Sequence, residues 1–293
     1  MHKIKLSVVI VTYNSLTLLK ECLSSLYKYN DIYSLLEVII VDNKSDDFLE
    51  LNSFVTSEYS SIHIIRNDKN GGYGQGNNVG INAAKGDIIL IMNPDVRLMQ
   101  PIFKKALNVF DKSSGTIMLG MKQWTSKDSK GISFRVDSPY THFLSDIFVN
   151  KAANYFDKFN PSTMYIVGAC FFIRKKGFLD IGLFDENIFM YNEESDIKNR
   201  IFQKFGKGAI LYNKELNFIH LSSGRHFSSS SDKLVVDSCC YYCKKFNLNH
   251  IKILKKMIHN RKLFRVVSRF KKDNKSVDEY SKAIWYIQNL IQK

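Results

Sequence analysis

The first hundred residues alternate short apolar runs with segments of helical periodicity. Runs rich in β-branched residues occupy positions 6–11, 38–41, 62–65 and 88–92, and each has the length of a buried strand. Between them, apolar positions recur every three to four residues, as in segment 16–26. Strands that alternate with helices favour a parallel sheet. We therefore predict an α/β fold with a Rossmann-like, mostly parallel central sheet flanked by helices.

The second half of the chain has a less regular pattern. It predicts strands at 117–121, 164–174 and 209–212, and helices at 103–110, 193–205, 234–246 and 277–291. Residues 122–162 match neither period and receive no assignment. The chain is expected to end in amphipathic helices.

Positive charge is concentrated near the end of the chain. The segment from Lys244 to Lys275 holds twelve Lys and Arg residues and one Asp, which is +11 of the total net charge of +14. Apolar stripes at 253–258 and 263–270 predict two basic amphipathic helices there. These helices either contact an anionic membrane surface or pack on the body with a solvated basic face. Nucleic-acid binding would more often spread basic residues over the main fold, so we expect no nucleic-acid partner.

Cysteine usage and hydropathy favour a cytoplasmic protein. The five cysteines have neither zinc-site spacing nor the pattern of a disulfide framework, and Cys239, Cys240 and Cys243 are expected in the core of a helix. The apolar run at 6–11 has no following cleavage site, which argues against a signal peptide. The longest nearly apolar stretch, 164–173, is about half of the roughly 20 residues that a membrane-spanning helix needs.

Polar residues follow three of the predicted strands. They are Thr12, Tyr13 and Asn14 after the first strand, Asp42 and Asn43 after the second, and Asn93 and Asp95 after the fourth. Ligands bind beyond the carboxyl ends of parallel strands, so these residues are expected to line one crevice. Six of the 15 glycines fall between 71 and 86. Their spacing fits neither a dinucleotide fingerprint nor a P-loop.

Taken together, these segments resemble a known enzyme family. Segments 7–14, 38–43, 70–78, 91–96, 167–174 and 184–196 occur in the order and spacing of inverting family 2 glycosyltransferases of the GT-A fold. The rhamnosyltransferase-like branch that builds bacterial surface polysaccharides is the most similar. The resemblance covers roughly residues 4–226. It implies transfer of a sugar from TDP-rhamnose or a UDP-hexose to a glycan or lipid-linked acceptor in O-antigen or capsule synthesis.

The resemblance also implies roles for individual residues. The nucleotide would contact Thr12, Tyr13, Asn14, Asp42, Asn43, Gly72, Asn77 and Asn93. An aspartate at position 42 can accept the N3–H of a pyrimidine, which favours uracil or thymine. Asn93 to Asp95 align with the family's D-x-D motif, with Asn93 in place of the first acid. Asp95 and His220 would then be ligands of Mn²⁺ or Mg²⁺, and Arg225 would contact phosphate or support the acceptor site.

The catalytic base is expected at the start of the predicted helix 193–205. Related enzymes carry Glu-Asp here, whereas this sequence has Glu193 and Glu194, so Glu194 takes the place of the base. Glu193 and Asp196 would bind the acceptor or support the helix. The alternative is that these acids only form the negative first turn of a helix, where carboxylates are favoured.

The resemblance suggests two parts of the chain. Residues 1–230 would be the glycosyltransferase domain, with a nucleotide-sugar half at 1–98 and an acceptor half at 99–230, and 231–293 a basic helical extension at the inner face of the plasma membrane. A sugar nucleotidyltransferase is one alternative, but it normally has a basic glycine-rich loop after the first strand, where this chain has Thr12 to Ser15. The other is a nucleic-acid-binding protein that acts through its basic tail.

Overall fold

The computed structural model describes residues 3–137, 143–221 and 227–292. The strands are β1 (Leu6–Thr12), β2 (Leu36–Asp42), β3 (His63–Arg66), β4 (Ile88–Met92), β5 (Val96–Leu98), β6 (Met118–Trp124), β7 (Phe134–Val136), β8 (Met164–Ile166), β9 (Cys170–Arg174) and β10 (Ile210–His220). The helices are α1 (Leu16–Lys28), α2 (Phe48–Glu58), α3 (Gly72–Ala83), α4 (Phe103–Lys112), α5 (Phe143–Tyr155), α6 (Lys175–Asp180), α7 (Glu193–Phe205), α8 (Ser229–Lys245), α9 (His250–Phe270) and α10 (Asn274–Gln292).

A central sheet organises the chain. Within the described residues it contains eight strands in the order β3-β2-β1-β4-β9-β6-β10-β5, and β7 pairs separately with β8. Strands β3, β2, β1 and β4 are parallel, as are β6 and β10, while β9 and β5 run antiparallel to their neighbours. The predicted mostly parallel sheet flanked by helices is confirmed.

Apolar layers cover both faces of the sheet. Along β1, Val8 and Ile10 point into a layer shared with α1, α2 and α4, whereas Val9 points into a layer shared with α3, α6 and α7. Strands that are buried on both faces read as nearly continuous apolar runs. This is why β1, β2 and β4 are recognisable from the sequence.

Two predicted strands have different limits in the structure. The predicted strand 164–174 divides into β8 and β9, because the peptide groups of Gly168 leave the ladder: its amide bonds to Glu194 and its carbonyl to Tyr73. The predicted strand 209–212 continues to His220 as β10, with a register shift between Asn213 and Asn217. The polar residues at that shift interrupt the apolar pattern and hide the second half of the strand.

Segment 122–162, which the sequence leaves unassigned, contains β7 and α5. Two side-chain amides join these elements: Asn154 Oδ1 accepts from Ser133 N at 2.7 Å, and Asn150 Oδ1 accepts from Val136 N at 2.8 Å. Such polar contacts have no periodic signature in a sequence, and this explains the missing assignment.

The C-terminal helices α8, α9 and α10 share a small apolar core. It includes Cys243, with Cys239 and Cys240 half-buried at its edge, as expected of helix core residues. The two predicted basic helices form one continuous helix, α9, because no glycine or proline separates them. Among the described helices, none is long and apolar enough to cross a membrane.

The two apolar stripes of α9 have different environments. Ile253 and Leu254 in the first stripe are buried against α8 and α10. The second stripe stays open to solvent and comprises Leu263 (38% exposed), Val266 (44%), Val267 (40%) and Phe270 (86%). We call these four residues the distal stripe. One helix therefore combines a packed half with an unpacked half.

Candidate active site

Several predicted site residues meet at the carboxyl edge of the sheet. The strand register aligns Thr12 with Asp42, and Asp42 with Arg66. Asn93 directly follows β4, and His220 at the end of β10 pairs with Val96 at the start of β5. The topology thus brings the ends of β1, β2, β4 and β10 to one edge of the sheet, where the predicted crevice would lie.

Asp42 forms the floor of one end of this crevice. Its side chain is fully buried, and Oδ2 accepts from Ser45 N at 3.0 Å and lies 3.9 Å from Arg66 Nε. The Arg66 guanidinium in turn lies over the Phe48 ring, 4.2 Å from its centroid. The buried Thr12 Oγ1 has no hydrogen-bond partner among the described residues. A buried hydroxyl without a partner is uncommon in folded proteins, so it marks a position where a ligand atom can bond.

Asn43, Gly72 and Asn77 organise the glycine-rich turn beside Asp42. Asn43 Nδ2 donates to Gly72 O at 2.9 Å, and Asn77 Nδ2 donates to Tyr73 O at 2.9 Å. Gly72 has φ +84°, and a Cβ at this position would collide with the Phe189 carbonyl oxygen. Glycine is needed here for a tight turn and a close backbone approach.

Tyr13 and Asn14 lie on the outer side of the same end. Tyr13 is 49% exposed, and Asn14 has φ 48°. Asn14 Nδ2 donates to Asp46 Oδ2 at 3.1 Å, and Asn14 Oδ1 accepts from Asp46 N at 2.8 Å. These reciprocal bonds join the loop after β1 to the loop after β2.

Asp95 and His220 lie together farther along the edge. Asp95 Oδ2 is 3.2 Å from His220 Nε2, and Asp95 O accepts from Leu221 N at 2.9 Å. Asp95 is buried, and the His220 side chain is 14% exposed. A carboxylate beside an imidazole is a donor pair that fits Mn²⁺ or Mg²⁺. Among the described residues, no group of three or more His, Cys, Asp or Glu side chains is arranged to hold a metal ion. The pair alone fits a cation that takes its remaining ligands from phosphate and water.

A short stretch of backbone connects Glu194 to the loop that carries Asp95. Glu194 Oε1 accepts from Gly168 N at 3.0 Å, and a Cβ on residue 168 would lie only 2.7 Å from that oxygen. One residue farther on, Ala169 O accepts from Asn93 N at 2.9 Å. The carboxylate of Glu194 and the loop that carries Asp95 are therefore held by the adjacent residues Gly168 and Ala169.

The two glutamates at the start of α7 differ in exposure: Glu193 is buried and Glu194 is partly buried. Burial raises the pKa of the Glu194 carboxyl above its ordinary value. Burial, followed by the nearby charge of Glu194, raises the pKa of Glu193 in the same direction. Burial and the same two acids also raise the pKa of Tyr73. A carboxylate with a raised pKa is a stronger proton acceptor, which suits a general base.

We expect Glu193→Gln to stabilise the protein at alkaline pH. The pKa of Glu193 is higher in the folded than in the unfolded state, so the folded protein favours the protonated carboxyl. The stability that goes with this proton is fully present below the unfolded pKa of 4.5 and is lost as pH rises through the folded pKa. Because glutamine has no proton to lose, the free energy of unfolding of the variant at alkaline pH should exceed that of wild type by on the order of 1–3 kcal/mol. Thermal melts at pH 5 and pH 9 test this. The exposed Glu58→Gln should show no such pH-dependent gain, and equal melts for wild type and Glu193→Gln at pH 9 would contradict the expectation.

Asp196 contacts basic side chains of α7 and α8. Its Oδ2 accepts from Arg200 Nε at 2.8 Å, and its Oδ1 lies 2.5 Å from Lys245 Nζ. The residue is fully buried. These contacts match the helix-supporting alternative better than direct acceptor binding. The predicted position of Arg225 falls outside the described residues.

Sequence reasoning gave no role to Gly168, Tyr73, Arg66 or Lys245. Gly168 lies in the apolar segment 167–174, where its lack of a side chain is the only local signal. Tyr73 OH donates to Gly168 O at 2.6 Å, so it helps to hold the residue whose amide bonds to Glu194. Contacts of this kind join distant parts of the chain and leave no periodic trace.

Solved structures share this fold. A mannosyltransferase from Pyrobaculum calidifontis, solved with GDP-Man and Mn²⁺, superposes with a TM-score of 0.60 at 13% identity, over 83% of this chain and 65% of that chain. Residues 1–349 of TarS from S. aureus superpose with a TM-score of 0.56 at 16% identity, over 97% of this chain and 92% of that chain. The molecule thus has the GT-A fold of nucleotide-sugar-dependent glycosyltransferases.

Sequence comparison gives the family. Residues 7–182, more than half of the chain, match the family described as Glycosyl transferase family 2, and the chain belongs to this family. The low-salt glycan biosynthesis hexosyltransferase Agl10 of Haloferax volcanii is 26% identical over 200 residues, or 64% of this chain and 59% of that protein. The poly(ribitol-phosphate) beta-glucosyltransferase of Bacillus spizizenii is 33% identical over 118 residues, or 40% of this chain and 19% of that protein. The chain therefore spans less than two thirds of these relatives.

Proposed function

We propose that the chain is a metal-dependent inverting glycosyltransferase. It moves a sugar from a UDP- or TDP-linked donor to a hydroxyl group of a glycan or lipid-linked acceptor. The observation that carries this proposal is the position of Glu194 and the Asp95–His220 pair, which flank the Asn93–Ala169 backbone contact at the carboxyl edge of the sheet. A base and an anion-neutralising site side by side are what glycosyl transfer from a diphosphate requires.

In the proposed reaction, Glu194 accepts the proton of the acceptor hydroxyl. The hydroxyl oxygen forms a bond to the anomeric carbon, while the bond from that carbon to the diphosphate oxygen breaks and its electron pair leaves with the diphosphate. Attack opposite the leaving group inverts the configuration. Glu193 lies next to the base and would contact the acceptor, and Asp196 supports α7 through Arg200.

Asp95 and His220 would hold the Mn²⁺ or Mg²⁺ ion. When bound, the cation supplies positive charge that neutralises the diphosphate leaving group. The Asn93 side chain has no charge, and its backbone N–H donates to Ala169 O, which holds the turn in place. Asp95 therefore provides the carboxylate of this motif.

The donor is proposed to carry a pyrimidine base. Buried Asp42 can accept a pyrimidine N3–H, and the unpartnered Thr12 hydroxyl can bond to the nucleotide. TarS has been solved with UDP and with UDP-GlcNAc, and the Bacillus relative is named a beta-glucosyltransferase. These names favour a UDP-hexose over TDP-rhamnose. The relatives' names also support a role in cell-surface polysaccharide synthesis, such as O-antigen or capsule.

Turnover of purified protein with UDP-glucose, UDP-galactose, UDP-GlcNAc, TDP-rhamnose and GDP-mannose tests the proposal. With Mn²⁺ present, one pyrimidine donor should release its nucleoside diphosphate, and NMR should detect an anomeric centre of inverted configuration in the product. A retained configuration, or no Mn²⁺-dependent release from any donor, would overturn it.

We further propose that the chain contacts the inner face of the plasma membrane through the distal stripe. Phe270 is 86% exposed at the turn between α9 and α10, and Arg269, Lys271 and Lys272 flank it. Each basic residue near anionic headgroups contributes up to about 1 kcal/mol, and a buried phenylalanine about 1.5–3 kcal/mol. An apolar tip surrounded by cations is complementary to an anionic bilayer surface.

We expect Phe270→Ser to weaken binding to vesicles of phosphatidylglycerol and phosphatidylcholine by about tenfold or more. Co-sedimentation at low salt measures this. Leu49→Ser is the matched control, because Leu49 is 82% exposed on α2 and distant in sequence from the basic segment. Unchanged binding of Phe270→Ser, or equal binding to purely zwitterionic vesicles, would refute the membrane contact.

A further inference from the structure

One face of α8 contacts the segment that leads into the acidic helix α7. Ser238, Tyr241, Tyr242 and Lys245 recur at i, i+3, i+4 and i+7, so they lie on one side of α8. Their contacts are Ser238 Oγ to Met190 O (2.7 Å), Tyr241 OH to Asp185 Oδ2 (2.8 Å), Asn199 Nδ2 to Tyr242 OH (2.6 Å), and Lys245 Nζ to both Asp185 Oδ2 (2.7 Å) and Asp196 Oδ1 (2.5 Å). We call these four residues the clasp face.

The segment under the clasp face has an unusual backbone. Tyr191 and Asn192, directly before Glu193, have φ values of 72° and 70°. Two successive non-glycine residues in the left-handed region are strained, and such a conformation persists only where the surroundings determine it. This conformation sets the direction from which Glu193 and Glu194 enter the crevice.

Contacts on both sides hold this segment. On the core side, Tyr73 N donates to Phe189 O at 3.1 Å, and Gly168 N donates to the Glu194 carboxylate. On the other side, the clasp face bonds to Met190 O and to two aspartates. The segment that leads into α7 is thus held between α3 on one side and α8 on the other.

Lys245 is the charged centre of the clasp face. Asp196 is only 1% exposed at its side chain and Asp185 13%, so both carboxylates need a cation nearby. Burial alone would raise the pKa of Asp185, but hydrogen bonds from Lys245, Asn187 and Tyr241 outweigh it and hold that pKa below its ordinary value. Lys245 joins Asp185, six residues before Tyr191, to Asp196 in the first turn of α7. Arg200, on α7 itself, also bonds to Asp196.

We propose that Lys245 is a positioning residue, which acts through Asp185 and Asp196 to fix the entry of α7 and thereby the direction of the Glu194 carboxylate. The inference rests on the proposed function of Glu194. It gives α8 a role in positioning the proposed base, in addition to its place in the basic C-terminal segment. It also separates Lys245, whose amine faces two aspartates, from the basic residues proposed to contact lipid.

Kinetics of Lys245→Met with the best donor of the panel test the proposal. We expect kcat to fall about tenfold to a hundredfold while KM for the donor changes less than about twofold, because none of the proposed nucleotide contacts lies on α7 or α8. The midpoint of the acidic limb, on which kcat/KM rises with pH, should shift, since the environment of Glu194 changes. Lys245→Arg should restore most of kcat. Lys112→Met makes the same change at an exposed site on α4 and should match wild type.

Hydrogen–deuterium exchange on the same full-length variants separates this proposal from the proposed function. Amides of residues 186–196 should exchange faster in Lys245→Met and not in Lys112→Met, while those of β1 and β4 keep their protection. If wild type proves inactive, this exchange result still decides whether Lys245 fixes the segment.

Should Lys245→Met fail to fold, Ser238→Ala offers a milder change on the same face of α8, because it removes only the hydrogen bond to Met190 O. It should lower kcat and speed exchange in residues 186–196 to a smaller degree. Wild-type kcat and pH profile, or unchanged exchange in 186–196, would overturn the proposal.

Discussion

Glu194→Gln is expected to lower kcat by about 10²- to 10⁴-fold, which is the usual contribution of a general base. The amide keeps the size of the side chain and can still accept from Gly168 N, so the fold should be retained. Removing a partly buried carboxyl of raised pKa should leave the melting temperature unchanged or higher at alkaline pH. Turnover of the best donor, measured beside thermal melts, provides both readouts.

The pH profile adds a second test of this residue. Because the pKa of Glu194 is raised, the wild-type kcat/KM should increase with pH until the carboxyl has lost its proton, and Glu194→Gln should lose that limb. The exposed Glu58→Gln controls for a general effect of removing one negative charge. A Glu194→Gln enzyme with near-wild-type turnover would remove Glu194 from the role of base.

Asp95→Asn is expected to lower kcat by about 10²- to 10³-fold, comparable to the loss of one group that stabilises developing charge. The substitution is isosteric but removes the carboxylate that lies 3.2 Å from His220. Activity should recover only in part at high Mn²⁺ concentration. Initial rates across a Mn²⁺ titration measure this change.

Asp111→Asn on the exposed end of α4 is the matched control for Asp95→Asn, and its Mn²⁺ titration should overlay that of wild type. If Asp95→Asn also overlays wild type, Asp95 does not hold the cation.

The parallel half of the sheet is predictable because its strands are buried on both faces. Val9 packs under α3 and Val8 under α1, so neither face of β1 needs polar residues. The residues after these strands are predictable as site candidates for the same reason, since parallel strands end at a common edge.

The break at Gly168 is not predictable from local sequence. Apolar residues continue on both sides of it, and the break arises because Glu194 and Tyr73 take the peptide groups that a strand would use. Likewise, α8 lies about 40 or more residues from the segment it holds. Its contacts are single polar side chains, which carry no period.

The most direct test of the central claim, that the carboxyl edge is a cation-assisted sugar-nucleotide site, is calorimetric binding of UDP, TDP and GDP with Mn²⁺ and with EDTA. With Mn²⁺ present, we expect UDP or TDP to bind more tightly than GDP, and we expect EDTA or Asp95→Asn to weaken this binding at least about tenfold. Binding of equal strength with Mn²⁺, with EDTA and in Asp95→Asn, or no nucleotide binding at all, would contradict it.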